Sequence, residues 1–288
     1  MANSINTNAG ALVALQNLYQ TSRDLSITQN RVNTGQKISS AKDNGAIFAI
    51  ATSQRAEMGA QDAVKQSLQR GQSIVDVALA AGETVTNALN ELKSLAVAIQ
   101  DDAGGATAFT DNGKKLVADY EAIVKEIHTS LAGAKFDGVN LFEATGATGK
   151  IEVSTNTSGG KFELKGNSAA AAGADLLFGG TAAAGVWTAA ATDAAKKTAY
   201  TAANVDTAVK AFATTLADLG TKSKSLDRQL TFTSKMQDAL EVGIGNLVDA
   251  DLAKESAKLT ALQTKQQLGV QALSIANQSS SVLLGLFR

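Results

Sequence analysis

The chain has 288 residues, of which 44% are hydrophobic and 18% charged, which is typical of a globular protein large enough for more than one domain. Its 26 lysines and arginines nearly balance its 27 aspartates and glutamates and are scattered singly, so the sequence predicts binding to neither nucleic acid nor an anionic membrane. Cysteine is absent, which excludes disulfides, thiol catalysis and cysteine metal sites. Proline is also absent, so long unbroken helices are expected.

The first predicted element is an amphipathic helix near the N-terminus. Its apolar residues recur at spacings of three or seven, which places them along one side of a helix. The residues of this stripe are Ile5, Leu12, Leu15, Leu18, Leu25 and Val32. The segment Met1 to Asn8 lacks the basic start and apolar core of a cleavable secretory signal, so export is expected to use another route.

Two further helices are predicted over residues 46–131. Apolar residues from Ile47 to Ile99 keep a helical spacing, and the segment Asp101 to Asp111, rich in Gly and Ala, breaks it. The second of the two helices is expected to end near Leu131 and to pack against the first as an antiparallel pair or as part of a longer bundle. Gly35 and Gly45 precede these two helices, and they predict a joint between two packing units.

A small β element is predicted after Lys135. The runs Ile151 to Val153 and Lys161 to Leu164 alternate apolar and polar residues, and Thr155 to Gly160 between them suits a hairpin loop. Residues 166–199, which are dominated by Ala, Gly and Thr, are the least constrained stretch.

Helical spacing resumes near Asn204. Gly243 and Gly245 are expected to interrupt it and to form a second joint, because an interior glycine costs about 0.5–1 kcal/mol in a helix relative to alanine. A last amphipathic helix follows. Its apolar residues are Leu252, Leu259, Leu262, Val270, Leu273, Ala276, Leu283 and Leu284.

Neither end of the chain is expected to fold alone. Ordering about 30 residues costs roughly 1–2 kcal/mol of backbone entropy each, whereas six buried aliphatic side chains return about 1.5–3 kcal/mol apiece. The sequence therefore predicts a mainly α fold in which both chain ends form long antiparallel helices and a coiled coil, with a small β-hairpin in the middle. The predicted domains are 1–45 with 243–288 (inner and helical), 46–165 with 200–242 (helical with the hairpin), and 166–199 (a short variable surface segment).

No constellation of residues predicts catalysis or a cofactor. His128 is the single histidine, which excludes an H-E-x-x-H zinc site, and a surface position on a helix is expected for it. No glycine-rich phosphate loop is present either. Asp43, Asp249 and Asp251 lack the ligand density of a calcium loop and are expected to cap helices or form salt bridges.

Several segments, taken in their order along the chain, resemble segments of bacterial flagellins. The run from Arg31 to Ala46 is similar to the family's arginine-led S-G-x-x-I-x-S-A-K-D signature. The other similar segments, in chain order, are Leu89 with Leu92 to Ala96, Phe136 to Val139, Asp249 to Ala253, Ala276 to Gln278, and Leu283 to Arg288. Each is weak singly, but their order makes the resemblance specific.

The resemblance implies a structural subunit that polymerises into the helical bacterial flagellar filament for swimming motility. It implies a secreted, extracellular protein whose terminal helices form the innermost layer and whose middle faces solvent. The implied partners are copies of the chain, the hook–filament junction, the filament cap, the flagellar export apparatus and an export chaperone. The two terminal stripes, including Ile5, Leu283 and Leu284, are then the expected self-assembly residues.

Two positions depart from the family pattern. The segment that resembles the one read by an animal innate receptor comprises Leu89, Asn90, Glu91 and Leu95, and Asn90-Glu91 stand where the sensed flagellins carry Gln-Arg. This charge reversal predicts weak receptor activation. Ser279 to Ser281 follow Ala-Asn-Gln where many flagellins have proline, so the last helix is expected to continue.

Other classes of function stay open on the sequence alone. A binding or signalling coiled-coil protein would pair its end helices in one stable monomer or dimer and resist proteolysis there. A secreted helical effector acting on host membranes would bind vesicles, against which the near-neutral charge argues. A filament-junction protein from the same family tree is a closer rival.

Overall fold

The computed structural model describes residues 8–105, 107–142, 150–165, 182–183, 186–187, 189 and 192–286. The helices of this part are α1 (Ala9–Thr34), α2 (Gly45–Gln100), α3 (Asp111–Gly133), α4 (Asp193–Ala199), α5 (Ala202–Val248) and α6 (Leu252–Leu286). The strands form antiparallel pairs: β1 (Lys135–Phe136) with β2 (Val139–Asn140), β3 (Lys150–Ser154) with β4 (Lys161–Lys165), and β5 (Ala182–Ala183) with β6 (Val186–Trp187). The predicted mainly α fold with a small central hairpin is confirmed.

The chain forms two compact units. The terminal unit comprises Met1–Met58 and Asp238–Arg288, and the central unit comprises Gly59–Gln237. The long helices α2 and α5 each contribute residues to both units. The terminal unit is therefore discontinuous in sequence, as a protein whose two ends pair requires.

The central unit has a continuous apolar core between α2, α3, α5 and the β3–β4 hairpin. Its largest fully buried side chains include Tyr120 and Tyr200, whose rings stack with their centroids 4.4 Å apart. Burial raises the pKa of both phenols, and the hydroxyl of Tyr200 donates to Glu121 Oε1 at 3.1 Å. Gly71 of α2 admits the hairpin, because a Cβ there would lie 2.7 Å from Val153 Cγ2.

The turn between α2 and α3 is tied together by one carboxylate. Asp102 accepts hydrogen bonds from the hydroxyl of Thr110, from the backbone N–H of Thr110 at 3.1 Å and from that of Gly104 at 3.3 Å. These bonds, led by the one from the Thr110 hydroxyl, hold the pKa of Asp102 below its usual value. Lys197 of α4 lies with its Nζ 3.7 Å from the same carboxylate, so α4 docks on this turn.

The predicted hairpin is confirmed in position, and the structure gives its register. Val153 pairs with Phe162 and Ile151 with Leu164, and the loop of residues 155–160 is closed by a hydrogen bond from Thr155 N to Gly160 O at 2.9 Å. Val153 and Leu164 are buried. Alternation along the two strands thus directs one apolar face into the core.

The predicted interruption at Gly243 and Gly245 is wrong. Helix α5 continues through both glycines to Val248, and the chain leaves the helix only at residues 249–251. Ile244 and Val248 are buried in the core of the terminal unit. Packing of these side chains offsets a glycine cost that is about 1 kcal/mol per residue.

Candidate self-assembly surface

Helices α1 and α6 of the terminal unit are held together near the start of α1. Asn8 caps α1, because its Oδ1 accepts from Ala11 N at 3.0 Å. Its Nδ2 donates to the backbone oxygen of Ala276 in α6 at 2.7 Å. One side chain therefore both begins α1 and binds α6 near its far end.

Backbone hydrogen bonds join the segment that follows α1 to the segment that precedes α6. We call this group of bonds the backbone clasp. α1 ends at Gly35, whose φ of 69° is left-handed and suits glycine. The Gly35 oxygen accepts from Ala250 N at 2.9 Å, and Lys37 N donates to Val248 O at 2.7 Å. Gln36 and Asp249 form an isolated antiparallel bridge between these bonds. The predicted joint at Gly35 is thus a pairing of the two chain segments.

Between these fixed points α1 and α6 run antiparallel. Near the clasp, Arg31 forms a salt bridge with Glu255 at 3.2 Å, and both side chains are largely buried. Midway, Gly269 gives a close approach, because a Cβ there would lie 3.2 Å from Leu18 Cδ1. The predicted pairing of the two chain ends is confirmed.

One of the acidic residues expected to cap a helix or form a salt bridge acts as predicted. Asp251 caps α6, since its Oδ1 accepts from Ala253 N at 3.0 Å and Lys254 N at 3.1 Å. Asp43 accepts from the backbone N–H groups of Ser40 and Ser39, which hold its pKa below the usual value. Asp43 thereby fixes the turn before α2, and the helix cap or salt bridge expected of it is wrong, because its carboxylate bonds to the residues that precede it.

The residues predicted for self-assembly fall into three groups. Those at least partly buried are Leu15, Leu18, Leu25, Val32, Leu259, Leu262 and Leu273. Those half or more exposed are Leu12, Leu252 and Val270. Ile5 and the side chains of Leu283 and Leu284 lie outside the described part, although the backbone of α6 is helical to Leu286, as expected from the missing proline.

The sequence stripes missed a second set of apolar residues. These outer apolar residues are Val13, Tyr19 and Ile27 on α1, and Leu268 and Ile275 on α6. Tyr19 is 63% exposed and Ile275 is 68% exposed. At about 100° per residue, Leu268 and Ile275 lie roughly opposite Leu262 on α6. The sequence did carry a signal for this second set, because apolar residues lie on more than one side of α6. Such a pattern is typical of a helix that is covered on all sides.

The receptor-like segment lies in α2 within the central unit. Leu89 is buried in the core and Leu95 is partly buried, whereas Asn90 and Glu91 are exposed. A binding partner would therefore meet the polar and acidic side chains rather than Leu89.

Neither a membrane span nor a metal cluster is found in the part of the chain that the structure describes. Helices there lack an apolar stretch of the length that a bilayer requires. The described His, Asp and Glu residues form no group of three that could hold a metal ion. His128 lies partly buried in α3.

The geometry defines a mainly helical protein whose two chain ends pair, and comparison with known proteins gives its family. The model "Bacterial flagellin N-terminal helical region" matches residues 5–147, and "Bacterial flagellin C-terminal helical region" matches residues 202–287. Flagellin FljK of Caulobacter vibrioides is 50% identical over 286 residues, with 99% of each chain covered. A flagellin of Brucella melitensis is 39% identical over 287 residues, also with 99% of each chain covered.

A crystal structure of Bacillus cereus flagellin was also matched, with a TM-score of 0.44 and 19% identity over 58% of this chain and 88% of that one.

The chain belongs to the bacterial flagellin family. It is a structural subunit, not an enzyme, which polymerises into the extracellular flagellar filament, and motility is the general role. This family membership decides between the function classes that the sequence alone left open.

Proposed function

We propose that the outer apolar residues of α1 and α6 are contacts between neighbouring copies in the filament. The observation that carries the proposal is the exposure of large apolar side chains on the outward faces of a helix pair whose inward faces are already packed. A contiguous exposed apolar surface is typical of an interaction site. Burying each such side chain stabilises the assembly by about 1.5–3 kcal/mol.

The predicted stripes then divide into two roles. Leu18, Leu25 and Leu262 hold α1 against α6 within a copy, while Leu12, Leu252 and Val270 join the outer apolar residues in contacts between copies. We propose Ile5, Leu283 and Leu284 as further contacts between copies, because they belong to the same two sequence stripes. The half-exposed state of Leu12, Leu252 and Val270 in the single chain supports this assignment.

The same division supports a layered arrangement of the filament. We propose residues 1–45 with 243–288 as the inner layer, residues 46–165 with 200–242 as the surrounding layer, and residues 166–199 as the surface segment. The paired ends support the inner layer, because they depend most on neighbours for burial. Family membership supports the hook–filament junction, the filament cap, the export apparatus and an export chaperone as further partners.

The test is the double substitution Leu268→Ser with Ile275→Ser. Because both side chains point away from α1, the secondary structure of the monomer should stay unchanged while the critical concentration for polymerisation rises at least about tenfold. Circular dichroism and a sedimentation assay over a concentration series measure the two quantities. Gln263→Ser, an exposed polar residue of α6, is the matched control. Wild-type polymerisation by the double variant would contradict the proposal.

We also propose that the receptor-like segment is a weak ligand of the animal innate receptor for flagellin. The exposed Glu91 places a negative charge where the sensed flagellins carry arginine. Asn90→Gln with Glu91→Arg should therefore raise reporter activation by the purified monomer. Ser94→Arg, which adds a positive charge one turn away on the same helix, serves as the control. A strong response to the unaltered monomer would contradict the proposal.

A further inference from the structure

Charged residues on either side of the α5–α6 connection are segregated by sign. From Asp238 to Asp251 every charged residue is acidic, namely Asp238, Glu241, Asp249 and Asp251. From Leu252 to Gln278 the charged residues are Lys254, Glu255, Lys258 and Lys265. Asp251 caps α6 and Glu255 binds Arg31, which leaves three carboxylates and three lysines.

These six residues are exposed, and the described part of the chain gives none of them an ion-pair partner. At about 100° per residue, the lysines lie within about 40° of one another around α6. Asp249 directly follows the end of α5, and its backbone N still donates to Gly245 O at 2.8 Å. With the helical period extended to Asp249, the carboxylates lie within about 80° of one another around the axis of α5. We call these sets the basic stripe (Lys254, Lys258, Lys265) and the acidic stripe (Asp238, Glu241, Asp249).

The two stripes match in length. Asp238 and Asp249 are eleven residues apart, as are Lys254 and Lys265, so each stripe spans about 16 Å at 1.5 Å per residue. Glu241 lies about 4.5 Å along the helix axis from Asp238, and Lys258 lies about 6 Å along the helix axis from Lys254. With the two helices running in the same direction, Asp238 faces Lys254, Glu241 faces Lys258 and Asp249 faces Lys265.

Apolar residues accompany the charges on both helices. Val242, next to Glu241, is 63% exposed, and Leu268, one turn beyond Lys265, is 59% exposed. Each stripe therefore lies beside an uncovered apolar side chain, as in interfaces where charges surround a hydrophobic contact.

We propose that the acidic stripe on α5 of one copy docks against the basic stripe on α6 of a second copy. The partner is a second copy because this chain carries both complementary surfaces at the same spacing. Two different patches that recognise each other form a heterologous contact, which repeats from copy to copy as a ring or an open helical polymer, and the polymer is the form that this family builds. The inference rests on the proposed role of α6 in assembly, and adds the partner surface and the register.

Charge reversal with rescue tests the pairing. Glu241→Lys or Lys258→Glu places like charges opposite each other, so each should raise the critical concentration of the full-length chain about five- to tenfold. The two changes combined restore an opposite-charge pair and should return the critical concentration to within about twofold of wild type. Sedimentation at low salt measures these values, and added NaCl should shrink the effect of each single change.

Matched variants separate this inference from the broader proposal. Lys235→Glu reverses an exposed charge on α5 outside the stripe, and Gln263→Glu adds a charge to α6 outside the stripe. Both should assemble like wild type. Additive loss in the combined Glu241→Lys and Lys258→Glu variant, or normal assembly by both single variants, would overturn the pairing. The variant Leu268→Ser with Ile275→Ser keeps all six charges. It therefore tests the apolar contacts separately, and its effect on assembly does not depend on the charge pairing.

Discussion

The terminal and central units reach stability by different means. The central unit buries large side chains such as Tyr120, Leu92 and Leu164 in one continuous core. The terminal unit has a small core around Ile38 and Val248, and many of its leucines, isoleucines and valines stay exposed along α1 and α6. We therefore expect the central unit to hold most of the stability of the isolated chain, and the paired helices of the terminal unit to depend more on burial by neighbouring copies.

This difference suits a subunit that must avoid assembling too early. We expect the terminal unit to gain burial from neighbouring copies as the polymer forms, which would couple its ordering to assembly. The backbone clasp and the Asn8 bond define which segments pair when this happens.

The largest expected effect comes from truncating one leucine in each unit. Leu92→Ala in the central core should lower the free energy of unfolding of the monomer by about 2–5 kcal/mol. Leu262→Ala, between α6 and α1, should change that same transition by less than about 1 kcal/mol, because the terminal unit opens separately. Urea denaturation of the monomer measures both. Equal losses would show that the two units unfold together.

Two glycines of α2 differ in the space that is free for a side chain. Gly71→Ala should destabilise the monomer by about 1–3 kcal/mol, because the added Cβ would meet the buried and stiff Val153 side chain. Gly59→Ala, whose Cβ would meet nothing within 4 Å, should instead stabilise by about 0.5–1 kcal/mol. Thermal or urea unfolding distinguishes the two signs. A stable Gly71→Ala variant would mean that the hairpin packs loosely on α2.

The smallest expected effect is a pH dependence at the α2–α3 turn. Because the pKa of Asp102 is lowered in the folded chain, its ionised form stabilises the central unit above its ordinary value of 3.8. This contribution is lost as the pH falls through the lower folded pKa. Asp102→Asn should therefore make the free energy of unfolding fall less steeply as the pH is lowered from about 5 to about 2. The difference from wild type should appear between the ordinary and the lowered pKa of Asp102.

The exposed neighbour Asp101→Asn is the control for that profile. An unchanged acid limb in Asp102→Asn would show that the hydrogen bonds from Thr110 do not favour the charged carboxylate.

Local patterns in the sequence were enough to predict most elements. The spacing of Leu15, Leu18 and Leu25 predicted α1, and the alternation around Val153 predicted the hairpin with its loop. These signals are local, since a helix or strand shows its buried face at a fixed period. The glycine pair in α5 misled because the local cost of glycine is small beside the packing of Ile244 and Val248.

What the sequence could not give was the set of contacts between distant segments. Helix α4 went unpredicted, and its docking depends on Lys197 reaching Asp102, 95 positions earlier in the chain. The exposed state of Leu12 was also hidden, because a stripe drawn at spacings of three and seven drifts around a helix of 3.6 residues per turn. The outer apolar residues became visible only when the inward faces of α1 and α6 were known.

The bond between Asn8 and Ala276 joins residues 268 positions apart. Contacts of such long range form last, because the loop that they close spans nearly the whole chain. A polypeptide that is still being made, or still passing through a channel, cannot close the terminal unit until both of its ends are free. A copy that lacks Asn8 or Ala276 cannot form this bond. We therefore expect the pairing of the two ends to favour whole chains over truncated ones when copies add to the polymer.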